Sequence, residues 1–219
     1  LHLVPYGVSI PQERAWWHPD RFRVVYSGHL VQEQKRFPLV LHTLIAACRR
    51  SDRIEGRVLG AGPLQEWAEH CLAEAGMAKR IRLLGPLSLK RAEAELLDAQ
   101  ALLLMSAYEG FGVVLIEAMA AGVVPLAAWQ PGGVGGVGEV VQPGRSGLRL
   151  PAAVEPAAER LVGLACDPER WHGCSRAGRE LVAQNYGMET FLDRWVAVPE
   201  AAVDPAIAQP HAAGGPGHG

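Results

Sequence analysis

The stretch ALLLMSAYEGFGVVLIEAMAAGVVPLAA (Ala101–Ala128) decides the fold. It opens on a continuous apolar run, Ala101–Ser106, and breaks at Glu109-Gly110-Phe111-Gly112. From Gly112 the apolar spacing is helical, and a second apolar run, Val123–Ala128, closes the unit. Strands that are apolar throughout, rather than alternating, are buried on both faces, as in a parallel sheet flanked by helices. The same unit recurs upstream. Strands are expected at Phe22–Ser27, Ile54–Gly60 and Arg80–Gly85, and helices at Phe37–Arg50, Pro63–Ala75 and Lys90–Ala99. Right-handed crossovers then give an α/β, Rossmann-like, doubly wound parallel sheet. Beyond Leu150 the pattern turns helical over Pro156–Ala165, Pro168–Gln184 and Met188–Val198.

The domain itself is read as residues 21–198, with a junction at 1–20 and a Pro/Gly/Ala-rich, disordered tail at 199–219. At 219 residues and 49% hydrophobic content the chain can bury a sizeable core. A net charge of −2 supplies no global field for nucleic acid or anionic membrane, so any phosphate ligand needs a local site. No apolar run approaches the ~18 residues of a membrane span. The four cysteines, Cys48, Cys71, Cys166 and Cys174, lack metal-ligand spacing and read as reduced, mostly buried thiols of a cytoplasmic protein. No acidic cluster suits a metal ion, and no cofactor or catalytic metal is expected.

In such sheets ligands bind beyond the carboxyl ends of the strands. Gly110 and Gly112 let backbone amides approach a ligand, and the helix they open carries roughly half a positive charge at its start. That is a place for a phosphate. Glu109 precedes the helix and Glu117 lies a little over two turns later, on a different face from Leu115, Ala118 and Met119. Two carboxylates would repel a phosphate unless each is engaged by hydroxyl donors such as those of a sugar or ribose. Taken singly, a helix-start charge and a solvated glutamate are the safer accounts; the pair with its Glu-Gly-Phe-Gly turn favours hydroxyl binding. A second candidate site is SGHLVQEQKRF, where Gly28 closes a strand and Lys35 and His29 offer charge and hydrogen bonds to a diphosphate. Alone, a surface lysine and a loop histidine fit it as well. The third is PGGVGGVGEVVQPGRSGL, whose amides could form an anion nest before Glu139, or simply a slack loop.

The ordered set VPYGV (Val4–Val8), SGHLVQEQK (Ser27–Lys35), VLGAGPL (Val58–Leu64), IRLLGPLS (Ile81–Ser88), YEGFGVVLIEAMAAG (Tyr108–Gly122) and GGVGEVVQPGRSGL (Gly135–Leu148) resembles a known domain. It is the nucleotide-sugar-binding C-terminal domain of GT-B retaining glycosyltransferases of the group 1, family 4 type. The resemblance implies transfer of a hexosyl group from a nucleoside diphosphate sugar to a hydroxyl acceptor. It assigns Glu109 to hydroxyls of the transferred sugar and Glu117 to the ribose. The amides of Gly110, Phe111 and Gly112 lie against the diphosphate and sugar, with Lys35 on the diphosphate beside Gly28. Leu87 falls at a base-contacting position and Gly60 at one lining the nucleotide pocket.

The sequence departs from this pattern at several points. His29 stands where an arginine is usual, and Arg36, a candidate to compensate, where glycine is usual. Met105 and Gly138 replace prolines, and Pro131–Val134 reads as an insertion. The resemblance also implies an N-terminal Rossmann-like acceptor domain as partner, in the same gene or another chain, and little turnover without it. Any peripheral membrane association would come through that half, and Phe191 and Trp195 would be left exposed. The alternatives are a non-catalytic nucleotide- or partner-binding module, a decayed transferase, and a nucleotide-sugar epimerase of the same fold.

Overall fold

A computed structural model describes residues 6–129 and 136–196. Six strands alternate with helices: β1 (Phe22–Ser27), α1 (Phe37–Arg50), β2 (Ile54–Leu59), α2 (Gln65–Glu74), β3 (Ile81–Gly85), α3 (Leu89–Leu97), β4 (Ala101–Leu104), α4 (Val113–Ala120), β5 (Val124–Ala128), α5 (Val137–Val140) and β6 (Leu148–Leu150). Helices α6 (Val154–Ala165), α7 (Pro168–Asn185) and α8 (Met188–Val196) follow. The sheet is parallel throughout, in the order β3-β2-β1-β4-β5-β6. The order in which successive strands are added therefore reverses between β1 and β4, and the loops leaving these two strands open a crevice at the switch point.

The apolar runs behave as their composition requires. All of β4 and β5 is buried, as are Phe22–Tyr26 of β1. A buried joint fixes the two halves. The Gln100 side chain accepts from the backbone N–H of Arg23 at 2.7 Å and donates to the carbonyl of Trp16 at 2.9 Å, while its own carbonyl accepts from the Trp171 indole at 2.8 Å. Trp171 is fully buried, and truncating such a side chain costs on the order of 3–5 kcal/mol. The segment before β1 packs on the domain. Val8 bridges Gly187, Ala15 N–H donates to Ala121 O at 2.7 Å, and Trp17 meets Phe22 and Trp171 edge-on or tilted.

Helix α3 is held differently. None of its residues is buried, and its C-terminal end rests on an ionic network over β1 and β2. Asp98 pairs with Arg21 and Arg23, and Glu55 with Arg23 and Arg57. Burial, with the adjacent Arg23, lowers the Arg57 pKa. The other end of α3 overhangs the sheet, with Leu89 almost fully exposed.

The one-turn α5 and the three-residue β6 are absent from the sequence reading because neither is long enough to show a period. Helix α2 starts at Gln65, two residues after Pro63. All four cysteines are free thiols; Cys48 and Cys174 are buried, Cys71 is half-buried, and Cys166, just past α6, is exposed. Trp195 is exposed and stacks on Phe191, whose side chain covers Gly7 and is half-buried. No helix among the described residues is long and apolar enough to cross a membrane. Val4, Pro5, the Pro131–Val134 insertion, Gly135 and the tail at 199–219 lie outside the described residues.

Candidate functional site

The loops after β1 and β4 meet at the switch point, where Ala107 N–H donates to Gln34 O at 2.7 Å. This brings Lys35 and Glu109 together across 74 positions of sequence. Lys35 Nζ lies 2.7 Å from Glu109 Oε1, with both side chains largely buried. Ser106 Oγ donates to the same oxygen at 2.5 Å. The charge of the Glu109 carboxylate is thus paired with the lysine.

Lys35 is placed by backbone on either side of it. Its stem passes Gly28, and Arg36, which follows, takes a left-handed conformation (φ 46°) as N-cap of α1. A non-glycine residue there costs about 1–2 kcal/mol, which explains why glycine suits the position. Arg36 is half-buried, and no hydrogen bond of its side chain is made among the described residues. Beneath the loop, the Tyr26 hydroxyl donates to His29 O at 2.8 Å. Burial and the charge of Glu109 push the Tyr26 phenol above its ordinary range, so it stays a neutral donor. The His29 side chain is exposed.

Gly28 and Gly60 touch. Gly60 has φ +121°, and a Cβ there would sit 2.1 Å from Gly28 O. Its N–H donates to Gly85 O at 2.9 Å, and Gly28 N–H to Leu59 O at 3.0 Å. These glycines let the β1 and β2 loops lie flat on one another, so Gly60 acts here through packing.

Gly112, at φ 74° and ψ 45°, is the N-cap of α4, and no side chain caps that helix. As at any helix start, its first amides have no α-helical partner, though Leu115 N–H donates to Gly112 O at 2.8 Å. Gly110 is exposed with open space beside its Cα, and its carbonyl accepts from Gly136 N–H at 3.1 Å. Phe111 turns its ring into an aromatic contact with Tyr6 and Tyr186, at 5.5 and 5.8 Å. Gly138, which replaces a proline, lies under the Trp129 indole, whose Nε1 would be 2.8 Å from a Cβ there.

Alongside, a cleft of about 450 Å³ runs between α3 and α4 over the ends of β1 and β2. Val113, Val114, Leu59, Leu89 and Leu96 make its walls apolar, and its charged lining residues are Glu93 and Glu117. Glu117 is exposed to the open cleft, on a face different from that of the buried Leu115, Ala118 and Met119, as expected. The apolar surroundings desolvate its carboxyl and raise its pKa. A folded-state pKa above the unfolded one means stability is lost as pH rises through that window and regained as it falls. Glu117→Gln should therefore raise the unfolding free energy at about pH 7, and the gain should shrink toward about pH 3, where the carboxyl is neutral in both folded and unfolded chains. Urea denaturation at the two pH values checks this. Leu87 is half-buried against the core and lies outside the cleft lining, which Leu89 reaches instead. Ser106, Tyr26 and Glu93 carry no role in the sequence reading. The Ser-x-x-Glu spacing of Ser106 and Glu109 was the available signal for the first.

A parallel sheet in this order, with paired glutamates and a lysine around an uncapped helix start, defines a Rossmann-like domain of the GT-B type. The chain belongs to the glycosyl transferases group 1 family, whose model matches residues 21–167. It is 30% identical over 172 residues to a glycogen synthase of Mycobacterium tuberculosis, covering 76% of this chain and 39% of that protein. Identity is also 30% over 182 residues to a GDP-mannose-dependent alpha-(1-6)-phosphatidylinositol monomannoside mannosyltransferase of the same organism, covering 78% and 45%. The chain thus spans less than half the length of these relatives. Among solved structures, the C-terminal domain of a glycosyl transferase group 1 family protein from Francisella tularensis superposes with a TM-score of 0.69 at 20% identity, over 84% of this chain and 97% of that one.

Proposed function

We infer that this chain is the donor-binding domain of a retaining glycosyltransferase that moves a hexosyl group from a nucleoside diphosphate sugar to a hydroxyl acceptor. An N-terminal Rossmann-like domain would supply the acceptor site. The observation that carries the reading is the pairing of Lys35 with Glu109 beside the uncapped start of α4, with Glu117 in the adjoining cleft. Departure of the sugar leaves negative charge growing on the diphosphate while the anomeric carbon becomes cationic. Lys35 and the α4 amides offer fixed positive potential to the first. Glu109 accepts hydroxyls of the sugar and orients it. Glu117 accepts the ribose hydroxyls, and the apolar cleft walls take the base. The membership in the group 1 family and the dependence of one relative on GDP-mannose support a nucleotide sugar as ligand. Free thiols fit the reducing cytoplasm.

Calorimetric titration with UDP-, GDP- and ADP-hexoses tests this. Saturable one-to-one binding of at least one series is expected. A demonstrably folded sample that binds none of them would leave the non-catalytic module as the better reading.

A further inference from the structure

Glu109 receives two donors on one oxygen. Ser106 Oγ and Lys35 Nζ both reach Oε1, at 2.5 and 2.7 Å, while Oε2 accepts from no described residue and is not sealed from solvent. The two donors differ in kind. Lys35 sits at the end of a flexible stem, and its charge is the group a diphosphate would draw toward itself. Ser106 is 5% exposed, directly follows the buried β4 and Met105, and precedes the residue that ties the two loops together. It has a short side chain with one torsion and nowhere else to go.

We propose that Ser106 is the positioning residue for Glu109: it holds Oε1 after a bound diphosphate has drawn Lys35 away, so that Oε2 keeps facing the transferred sugar. This rests on the reading that Glu109 binds that sugar. Without the hydroxyl, a carboxylate released by Lys35 is free to rotate about its side-chain torsions. Its well-oriented acceptor then becomes one of several conformers. The loss falls on the sugar and leaves the nucleoside diphosphate, held by Lys35 and α4, unaffected.

The test compares two dissociation constants for each variant of the full chain, UDP against UDP-glucose, GDP against GDP-mannose and ADP against ADP-glucose, by calorimetry. For whichever pair the unsubstituted protein binds, Ser106→Ala should leave the nucleoside diphosphate constant within about twofold. It should weaken the sugar conjugate about tenfold, the equivalent of one well-placed hydrogen bond to a charged group. Ser106→Thr, which keeps the hydroxyl, should restore the ratio. Where Ser106→Ala does not fold, Ser106→Cys replaces it, since a thiol is a weak donor of nearly the same shape, and the ratio should again rise. A ratio unchanged in the alanine or cysteine variant, or a loss shared equally by both ligands, overturns the proposal while leaving the donor-binding reading intact. Failure of the unsubstituted protein to bind any of the six ligands overturns that reading itself.

Discussion

Lys35→Ala should weaken nucleoside diphosphate binding about a hundredfold, toward the upper end of what a hydrogen bond between charged groups is worth, about 1.5–3 kcal/mol. Two effects point the same way. The first is the loss of the cation that faces the diphosphate from the β1 loop. The second is its consequence for Glu109, whose side chain is only 10% exposed and pairs with Lys35 in the free protein. Without the lysine the carboxylate keeps Ser106 as donor but keeps its full charge too, and that charge lies beside the place a phosphate must enter. The double substitution Lys35→Ala, Glu109→Gln should recover part of the loss, because it removes the repulsion without restoring the attraction. Lys35→Arg should bind more tightly than Lys35→Ala, since the charge is kept. Calorimetry with the preferred nucleoside diphosphate, beside a thermal melt to confirm folding, reads all three. A Lys35→Ala constant within threefold of the unsubstituted protein would remove the lysine from the ligand site.

Much of this arrangement was legible before the structure, and the reasons are local. The ranges Phe22–Ser27 and Phe37–Arg50 agree with the structure at both ends, because each is a strongly patterned run bounded by residues that stop it. Helix α3 is displaced by a residue or two at each end, as befits a helix with no buried residue to fix its limits. Glu109 and Lys35 could be singled out separately by type and surroundings. Their contact could not, since it depends on the strand order that places the β1 loop beside the β4 loop. The role of Ser106 was hidden for a related reason: whether a serine reaches a glutamate three residues on is set by how the chain turns between β4 and α4. Glycines were the least legible of all. A glycine that clears space for a ligand and one that clears space for another backbone look the same in sequence. Gly60 clears space for the Gly28 backbone, whereas Gly110 has only open space beside it.

Gly60→Ala should accordingly be among the most damaging single substitutions in the domain, at about 2–6 kcal/mol of stability. The estimate has two parts. At φ +121° an L-residue occupies a region that is nearly reserved for glycine, at a cost of roughly 1–3 kcal/mol. The added methyl would also meet Gly28 O at 2.1 Å, a backbone atom that cannot turn aside as a side chain would. Forcing such a contact apart costs about another 1–3 kcal/mol. Against a native stability of about 5–15 kcal/mol, the sum takes much of the margin. Where the fold survives, the β1 loop must lift, and it carries Lys35 with it, so ligand affinity should fall together with stability. Gly110→Ala supplies the contrast. Its Cβ would meet nothing within 4 Å and its φ is not positive, so its stability should stay within about 0.5 kcal/mol, as at an ordinary surface site. Any change in that variant should appear only in titration with ligand. Urea denaturation of the two variants decides the matter: equal stabilities would mean that Gly60 does not lie against Gly28, and the packed loop floor on which Lys35 stands would have to be abandoned.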